Sequence, residues 1–303
     1  MEAGCPRSRD GTLLCAAQLP GAPHPLATDG LIGINSIELG NLKLWYAIHG
    51  QGPRVVFIPG TASDLRQQLN IFASPLIEHF EVLSFDQRGI GQSNSPDAAP
   101  TMVDYASDVQ HVLDTLGWTK CSCIGESFGG MVAQEFALQY PAYIEKLVLV
   151  VTSSGGQGGS SFPFHDYDIA TMTLEERADF WVHCCDSRVS QPHWQETHPE
   201  VYQQQYQTYL QVFQLGATNP ERNVWSERQI YARKLHNTYE RLPHLTMPTY
   251  ICGGRYDKTA PLANQIALLQ QIPDARLTLF NGSHMVLWQD AFAFQSIIGF
   301  LLG

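Results

Sequence analysis

Ser127 has the sequence surroundings that a nucleophilic serine needs. It lies in the pentapeptide Gly125-Glu-Ser-Phe-Gly129, which follows a short β-prone run and precedes a helix-forming segment. A serine held in a strained strand-to-helix turn leaves little room two residues away on either side, and glycine, which lacks a Cβ atom, fits there. The following helix directs its free N–H groups towards the hydroxyl. The pentapeptide in this context predicts covalent catalysis by Ser127.

A serine hydroxyl also needs a base and a group that orients the base. Loops that follow strands are where α/β sheets place such groups. Asp257 is the only carboxylate in the loop after the predicted strand Thr249–Gly253, and His284 comes shortly after the predicted strand Arg276–Phe280. The loop after the predicted strand Ile144–Val151 reads Thr-Ser-Ser-Gly-Gly and contains no carboxylate that could replace Asp257. We therefore predict Ser127 as nucleophile, His284 as general base and Asp257 as the acid that holds the imidazole.

The negative charge that develops on an attacked carbonyl oxygen needs backbone N–H donors. One is expected from Phe128, the residue after the nucleophile, and one from the loop after the predicted strand Arg54–Ile58. That loop reads Pro59-Gly60-Thr61. Thr61 is the predicted second donor.

Three charged residues near these motifs are expected to be structural. Glu126 is adjacent to the nucleophile, and we interpret it as a strand-end residue that points away from the site. Asp86 and Arg88 follow a predicted strand, and we interpret them as residues that stabilise the turn after it.

Strands and helical segments alternate along most of the chain, which predicts βαβ units and a mostly parallel sheet with helices on both faces. The predicted core spans residues 31–153 and 246–303 and includes a helix over Asp64 to Phe80. Residues 154–245 break the alternation with helical, aromatic-rich sequence, and we expect them to form a cap. Residues 1–30 show no periodicity and are treated as an extension.

The predicted cap contains two signals that the structure can test. Thr173-Leu-Glu-Glu176 is a capping-box sequence and predicts the start of a helix. Aromatic residues at helical spacing are expected to form mainly cap core, with a few facing a substrate pocket: Trp181, Trp194, Tyr202, Tyr206, Tyr209, Phe213 and Trp225.

Three blocks, at residues 85–93, 125–133 and 241–248, resemble those of the α/β-hydrolase superfamily, and the resemblance extends over residues 33–303. They look most similar to the branch of 3-oxoadipate enol-lactonases and related carboxylesterases. The resemblance implies an α/β-hydrolase fold with an eight-stranded-type sheet and an inserted helical cap, and no cofactor or metal. The chain departs from the family pattern in having Pro59-Gly60 where His-Gly is more usual. A serine at position 127 differs from haloalkane dehalogenases and epoxide hydrolases, which resemble this fold but use an aspartate nucleophile.

Composition excludes several classes of partner. The formal net charge of −11 disfavours nucleic acid and anionic membranes, because both would repel the chain. No apolar run approaches the roughly 20 residues that a membrane helix needs. The seven cysteines show no zinc-like spacing, and reduced thiols in a cytoplasmic enzyme are the expectation.

The residues taken together predict a serine hydrolase that cleaves a small carboxylic ester or lactone, with an apolar or aromatic acyl part, through an acyl-enzyme. Two alternatives stay open. The same triad could hydrolyse a C–C bond in a β-diketone-like substrate. The chain could also be a catalytically silent receptor or scaffold with a hydrolase fold. The sequence leaves the physiological substrate and the oligomeric state undetermined.

Overall fold

The structure, a computed structural model, describes residues 33–95, 99–218 and 220–303, apart from the side chains of residues 220–225. The predicted extension at residues 1–30 lies outside the described residues. So does the side chain of Trp225.

Within the described residues, eight strands form one sheet in the spatial order β1-β2-β4-β3-β5-β6-β7-β8. The strands are β1 (Asn35–Leu39), β2 (Leu42–His49), β3 (Arg54–Ile58), β4 (Glu81–Phe85), β5 (Cys121–Glu126), β6 (Ile144–Val150), β7 (Thr249–Gly254) and β8 (Ala275–Phe280). β1 pairs with β2, and β2 with β4, in antiparallel fashion, and every other neighbouring pair is parallel. The predicted fold class, a mostly parallel sheet flanked by helices, is confirmed.

Side-chain alternation along the strands divides the core into two layers, one on each face of the sheet. In β3, Val56 and Ile58 belong to one apolar cluster, and Val55 and Phe57 belong to the other. Successive strand residues point to opposite faces, and both faces are covered, so the strand reads as a continuous apolar run. The strands are thereby fixed in place, and their carboxyl ends can position functional groups.

The helices follow the predicted rhythm with small shifts at their ends. They are α1 (Met102–Thr115), α2 (Phe128–Gln139), α3 (Leu174–Cys185), α4 (Trp194–Thr197), α5 (Pro199–Ala217), α6 (Pro220–Lys234), α7 (Leu262–Gln271), α8 (Val286–Gln289) and α9 (Ala291–Leu302). The predicted capping box begins α3, because the Glu176 amide donates to Thr173 Oγ1 at 3.1 Å and the Thr173 amide donates to Glu176 Oε2 at 2.9 Å.

The helix predicted over Asp64 to Phe80 is wrong. The structure has turns there and two short 3₁₀ helices, Ile71–Ala73 and Pro75–Glu78. Asn70 Oδ1 accepts the Phe72 amide at 3.0 Å, and such local side-chain bonds compete with a continuous helix. Pro75 has no N–H to donate and restricts the residue before it. The apolar spacing of this segment reflects burial against the sheet and does not indicate an α-helix.

The segment between β6 and β7 contains α3, α4, α5 and α6. We propose that residues 154–245 form a cap over the carboxyl ends of the strands. Contacts described below support this division of the chain: those of Cys185, those of Asp186 and those of the side chains that line the cavity.

Two glycine substitutions should have opposite effects on stability. A Cβ atom at Gly129 would lie 2.6 Å from the carbonyl oxygen of Pro59, whereas one at Gly299, inside α9, would meet nothing within 4 Å. Gly129→Ala should lower the free energy of unfolding by about 1–3 kcal/mol or more, because backbone must move. Gly299→Ala should raise it by about 1 kcal/mol, since alanine favours a helix over glycine.

Urea unfolding of both variants beside the unmodified chain measures these changes. Equal changes for the two variants would contradict the close approach between α2 and the loop after β3.

Candidate functional site

Ser127 occupies a strained turn between β5 and α2. Its backbone has φ of 53° and ψ of −114°, a conformation that residues other than glycine rarely adopt. Several bonds hold this conformation. The Ser127 amide donates to the Val150 carbonyl at 2.9 Å, and the Thr152 hydroxyl donates to the Ser127 carbonyl at 2.7 Å.

The glycines around Ser127 are required by close packing. A Cβ atom at Gly125 would lie 2.6 Å from Ala133 Cβ, and one at Gly130 would lie 2.6 Å from Thr152 Cβ. Without those side chains α2 packs directly on β5 and on the loop after β6. The packing keeps the Ser127 hydroxyl at the carboxyl edge of the sheet.

The structure brings together the three residues predicted as a triad, although they are far apart in sequence. His284 Nε2 lies 2.8 Å from Ser127 Oγ, and His284 Nδ1 lies 2.9 Å from Asp257 Oδ2. The Asp257 side chain is sealed from solvent, and 12% of the His284 side chain is exposed. The arrangement forms a continuous hydrogen-bonded chain from a buried carboxylate to a serine hydroxyl.

The turn after β7 fixes the second oxygen of Asp257. Asp257 Oδ1 accepts the backbone amides of Thr259 at 2.8 Å and Ala260 at 2.9 Å. Two N–H donors stabilise the charged form of a carboxylate. Asp257 therefore combines the turn role that its sequence context suggests with its contact to His284.

The loop after β3 lies against Ser127, as the predicted oxyanion site requires. A Cβ atom at Gly60 would be 3.5 Å from Ser127 Cβ, so the loop backbone is adjacent to the nucleophile. The amide of Ala62 donates to Gln229 Oε1 at 2.9 Å and is occupied. The Thr61 amide donates in none of the hydrogen bonds found among the described residues. The Phe128 amide is in the first turn of α2, where N–H groups lack intrahelical acceptors.

The carboxyl-terminal end of α3 is bonded directly to the loops that carry the acid and the base. The Cys185 carbonyl accepts the amide of His284 at 3.1 Å and that of Lys258 at 3.4 Å. The Ser187 amide donates to the Tyr256 carbonyl at 3.0 Å. Sequence reasoning missed these contacts, because backbone acceptors leave no mark on residue type.

Asp186, the residue after α3, adds buried contacts between the end of this helix and the loop of Asp257. Its side chain is fully buried and forms an ion pair with Arg188, with 2.7 Å between Arg188 Nη2 and Asp186 Oδ2. Gln205 of α5 donates to Asp186 Oδ2 at 2.9 Å, and the backbone of Asp186 pairs with that of Asp257. This end of the proposed cap is part of the framework that positions His284 and Asp257.

A cavity of about 140 Å³ borders the hydrogen-bonded chain. Ser127 and His284 form its base, together with Thr61 and Glu126. The rest of its wall is mainly apolar and aromatic and comes largely from the cap and from α8: Leu69, Phe164, Trp181, Tyr209, Val212, Phe213, Met285 and Trp288.

The cap aromatics separate into two groups. Trp181, Tyr209 and Phe213 line the cavity. Trp194 forms a buried cluster against which Tyr202 and Tyr206 pack, as expected for cap core. Phe164 and Trp288 complete the aromatic wall, and sequence spacing gave no signal for either of them.

Glu126 does not point away from the site, contrary to the sequence interpretation. It borders the cavity beside Ser127 and also borders a smaller cavity of about 40 Å³ below it. It is the last residue of β5, and like Ile124 two residues earlier it lies on the face of the sheet that carries Phe57. The pKa of the Glu126 carboxyl is raised to about 7, because the effect of burial exceeds the opposing effect of the nearby His284.

Asp86 and Arg88 stabilise the turn after β4, as the sequence predicts, and they also bond to segments outside that turn. Asp86 Oδ1 and Oδ2 accept the amides of Leu65 at 2.8 Å and Gln92 at 2.9 Å, so the carboxylate ties together two loops. Arg88 reaches α1 and donates to Asp108 Oδ2 at 2.6 Å.

The described part of the chain has neither a cluster of metal ligands nor a membrane-spanning helix. No group of three or more His, Cys, Asp or Glu side chains among these residues has an arrangement that could hold a metal ion. None of their helices has the length and apolar character needed to cross a bilayer.

The raised pKa of Glu126 predicts a pH-dependent stability difference. Below about pH 4.5 the carboxyl is mostly protonated in both the folded and the unfolded chain, so it affects stability little. Between pH 4.5 and about 7 it ionises in the unfolded chain but stays mostly protonated in the folded chain, so it destabilises the fold increasingly as the pH rises towards 7. Glu126→Gln removes the group that ionises. Its stability gain should therefore be larger at pH 8 than at pH 4.5, by about 1–3 kcal/mol, since one pKa unit corresponds to about 1.4 kcal/mol.

Denaturant unfolding at the two pH values measures the difference. Glu145→Gln, a substitution at an exposed position of β6, is the matched control for a change of net charge. A gain for Glu126→Gln that is identical at both pH values would contradict the burial of its carboxyl.

Comparisons with known proteins identify the family. A family model described as alpha/beta hydrolase fold matches residues 53–291. Poly(3-hydroxyalkanoate) depolymerase of Ectopseudomonas oleovorans is 26% identical over 272 residues, which cover 87% of this chain and 90% of the depolymerase. A 2-hydroxy-6-oxononadienedioate/2-hydroxy-6-oxononatrienedioate hydrolase of Comamonas testosteroni is 25% identical over 292 residues, covering 89% of this chain and 94% of that enzyme.

Solved structures show the same fold. The enol-lactonase from Burkholderia xenovorans LB400 superimposes with a TM-score of 0.72, covering 89% of this chain and all of that one at 22% sequence identity. The match of the family model over most of the chain agrees with the sheet order and confirms the resemblance found in the sequence. The chain belongs to the alpha/beta hydrolase family.

Proposed function

We propose that this protein hydrolyses a carboxylic ester or lactone through an acyl-enzyme formed on Ser127. The observation that carries the proposal is the hydrogen-bonded chain from Asp257 through His284 to Ser127 Oγ, with distances of 2.9 and 2.8 Å, at the base of a cavity. These are distances at which a base can accept the serine proton.

In the first half of the reaction Ser127 Oγ attacks the carbonyl carbon, and its proton passes to His284 Nε2. Asp257 accepts the Nδ1–H of the imidazole and stabilises the imidazolium without taking the proton. The carbonyl oxygen becomes an oxyanion, to which the amides of Thr61 and Phe128 donate. The tetrahedral intermediate then collapses, the bond to the leaving oxygen breaks, and His284 returns the proton to that oxygen.

In the second half, water attacks the acyl-enzyme carbonyl with His284 again as base, and Ser127 regains its proton as the acid is released. A lactone follows the same path, with both products remaining in one molecule. Metal ions and organic cofactors have no part in these steps.

The walls of the cavity support an apolar or aromatic acyl group. Trp181, Phe164 and Phe213 surround it, and apolar surface that leaves water on binding contributes about 25 cal/mol per Å². The cavity of about 140 Å³ favours a small substrate.

A second reaction uses the same groups. The Comamonas testosteroni relative, 25% identical to this chain, is named for hydrolysis of an oxo-dienedioate, and this favours C–C bond cleavage as the alternative. The poly(3-hydroxyalkanoate) depolymerase, at 26% identity, favours ester cleavage. An assay of aryl esters, lactones and vinylogous β-diketones side by side distinguishes the two. An ester or lactone hydrolase should have a kcat/KM orders of magnitude higher for the esters or lactones, and a C–C bond hydrolase for the diketones.

A fluorophosphonate probe tests the nucleophile itself. It should label Ser127 stoichiometrically, and the labelled peptide should be found by mass spectrometry. Ser127→Ala should not be labelled. Absence of labelling in the unmodified, folded chain would favour the catalytically silent alternative.

Substitutions in the triad should lower kcat in a graded order. Ser127→Ala and His284→Ala should each lose about 10⁴-fold or more, because the nucleophile and base act as a unit, and Asp257→Asn should lose less. Steady-state kinetics on a 4-nitrophenyl ester measures the losses. If Ser127→Ala kept more than a few per cent of kcat, the acyl-enzyme mechanism would be wrong.

The predicted oxyanion donor at Thr61 is a backbone group, so two substitutions should separate it from its side chain. Thr61→Ala keeps the amide and should lower kcat only slightly. Thr61→Pro removes the amide and should lower kcat about 10²-fold, typical of one lost donor. A thermal melt controls for distortion of the loop. Small, equal effects in two folded variants would show that the second donor is elsewhere.

A further inference from the structure

Arg233 is a buried cation in the cavity wall. It lies near the end of α6, has 8% of its surface exposed, and borders the same cavity as Ser127 and His284. Its guanidinium carbon is 4.8 Å from the centre of the Phe164 ring. The charged group is thereby held against the aromatic wall of the site.

The guanidinium is only partly satisfied by protein groups. Nη2 donates to Ser161 Oγ, whereas the buried Nε has no hydrogen-bond partner. No carboxylate among the described residues lies within ion-pair distance of Arg233, in contrast to Arg188 and Arg241, which pair with Asp186 and Glu135.

This arrangement is costly without an anion. A buried arginine normally has a carboxylate or phosphate partner, because a desolvated charge is strongly disfavoured. Burial lowers the pKa of the Arg233 guanidinium to about 10, and Cys185 and Asp257 oppose this shift only through space. Asp257 already has two backbone donors and His284 on its oxygens.

The other ionisable groups of the cavity do not meet the need. Glu126 lines the same cavity but makes no ion pair with Arg233. Tyr209 and Cys185 are also in the wall, and burial raises the pKa of both side chains, which keeps them neutral. The cavity therefore presents mainly apolar walls and a buried guanidinium for which the described residues supply no counter-ion.

We propose that Arg233 binds a carboxylate carried by the substrate, at the end of the molecule remote from the bond that Ser127 attacks. The inference rests on the proposed function and makes it more specific. The substrate class is a singly charged acid ester or acid lactone, with an apolar body packed against Phe164 and Trp181 and one carboxylate. A planar guanidinium with an unused Nε–H suits such a group, since arginine and carboxylate form short, directional, charge-assisted hydrogen bonds.

Two esters of equal acyl length test the proposal. In 4-nitrophenyl hydrogen adipate a carboxylate stands where 4-nitrophenyl hexanoate has a methyl group. The unmodified chain should have a kcat/KM at least tenfold higher for the adipate, after subtraction of spontaneous hydrolysis. A ratio at or below one in the unmodified chain would overturn the proposal without any variant.

Arg233→Gln should lower the adipate-to-hexanoate ratio by about 10- to 100-fold, the usual size of a hydrogen bond to a charged group. Lys234→Gln is the matched control, because it removes an equal charge from the next, exposed residue, and it should leave the ratio unchanged. Arg233→Lys should keep part of the preference. A fall in both kcat/KM values with an unchanged ratio in Arg233→Gln would show that Arg233 is structural.

Binding without turnover separates this inference from the proposed reaction. In the Ser127→Ala background, calorimetry compares 4-phenylbutanoate with 4-phenylbutanamide. A carboxylate preference that Arg233→Gln removes and Lys234→Gln keeps would support the anion site even if no ester is hydrolysed. Ester turnover with no carboxylate preference in either measurement would leave the reaction standing and overturn the site.

Discussion

The close approach of α2 to the loop after β3 is the constraint on which the site depends. Gly129 has no room for a side chain beside the Pro59 carbonyl, and Gly125 has none beside Ala133. This packing, with the hydrogen bonds from Ser127 to Val150 and from Thr152 to Ser127, offsets the cost of the positive φ at Ser127. It also places the backbone of the loop after β3 next to the serine, so one contact positions both the proposed nucleophile and the proposed oxyanion donors.

The cap has two different relations to this centre. Near Cys185 it is bonded to the loops of His284 and Asp257, and those bonds position the proposed base and acid. Through Trp181 and Phe213 it supplies the walls of the cavity. If residues 154–245 act as the proposed cap, a change in their sequence can alter substrate fit at the walls, while changes at the Cys185 junction would disturb the proposed triad. Functions diverge within one fold in this way, because the site's chemistry and its specificity are carried by different segments.

Charge in the cavity is arranged unevenly. Glu126 lies beside Ser127, and burial raises the pKa of its carboxyl to about 7. Arg233 lies against Phe164 and forms no ion pair with a carboxylate of the described residues. In a water-poor cavity both groups act over longer distances than at the surface. The proposed carboxylate at Arg233 and the proposed oxyanion near Thr61 are compatible, since each would have its own donors. The protein's overall net charge of −11 therefore says little about the charge of its substrate.

The sequence alone determined the parts of this protein that local chemistry controls. Glycine spacing predicted the turn at Ser127, and strand-then-loop order predicted Asp257 and His284, because parallel strands bring their carboxyl ends to one edge of the sheet. The strand and helix succession gave the fold class for the same reason. The segment from Asp64 to Phe80 was predicted wrongly because burial against the sheet imitates helical periodicity.

Only the tertiary structure decided the rest. Glu126 borders the cavity because the loop after β3 and the residues around Trp288 close over the end of β5, and these neighbours are distant in sequence. Cys185 supports His284 through a carbonyl oxygen that every residue type possesses. Arg233, one of many basic residues in the sequence, became notable only when the fold buried it beside Phe164, where none of the described carboxylates forms an ion pair with it. Burial and partnership are properties of packed neighbours, and residues distant in sequence supply them.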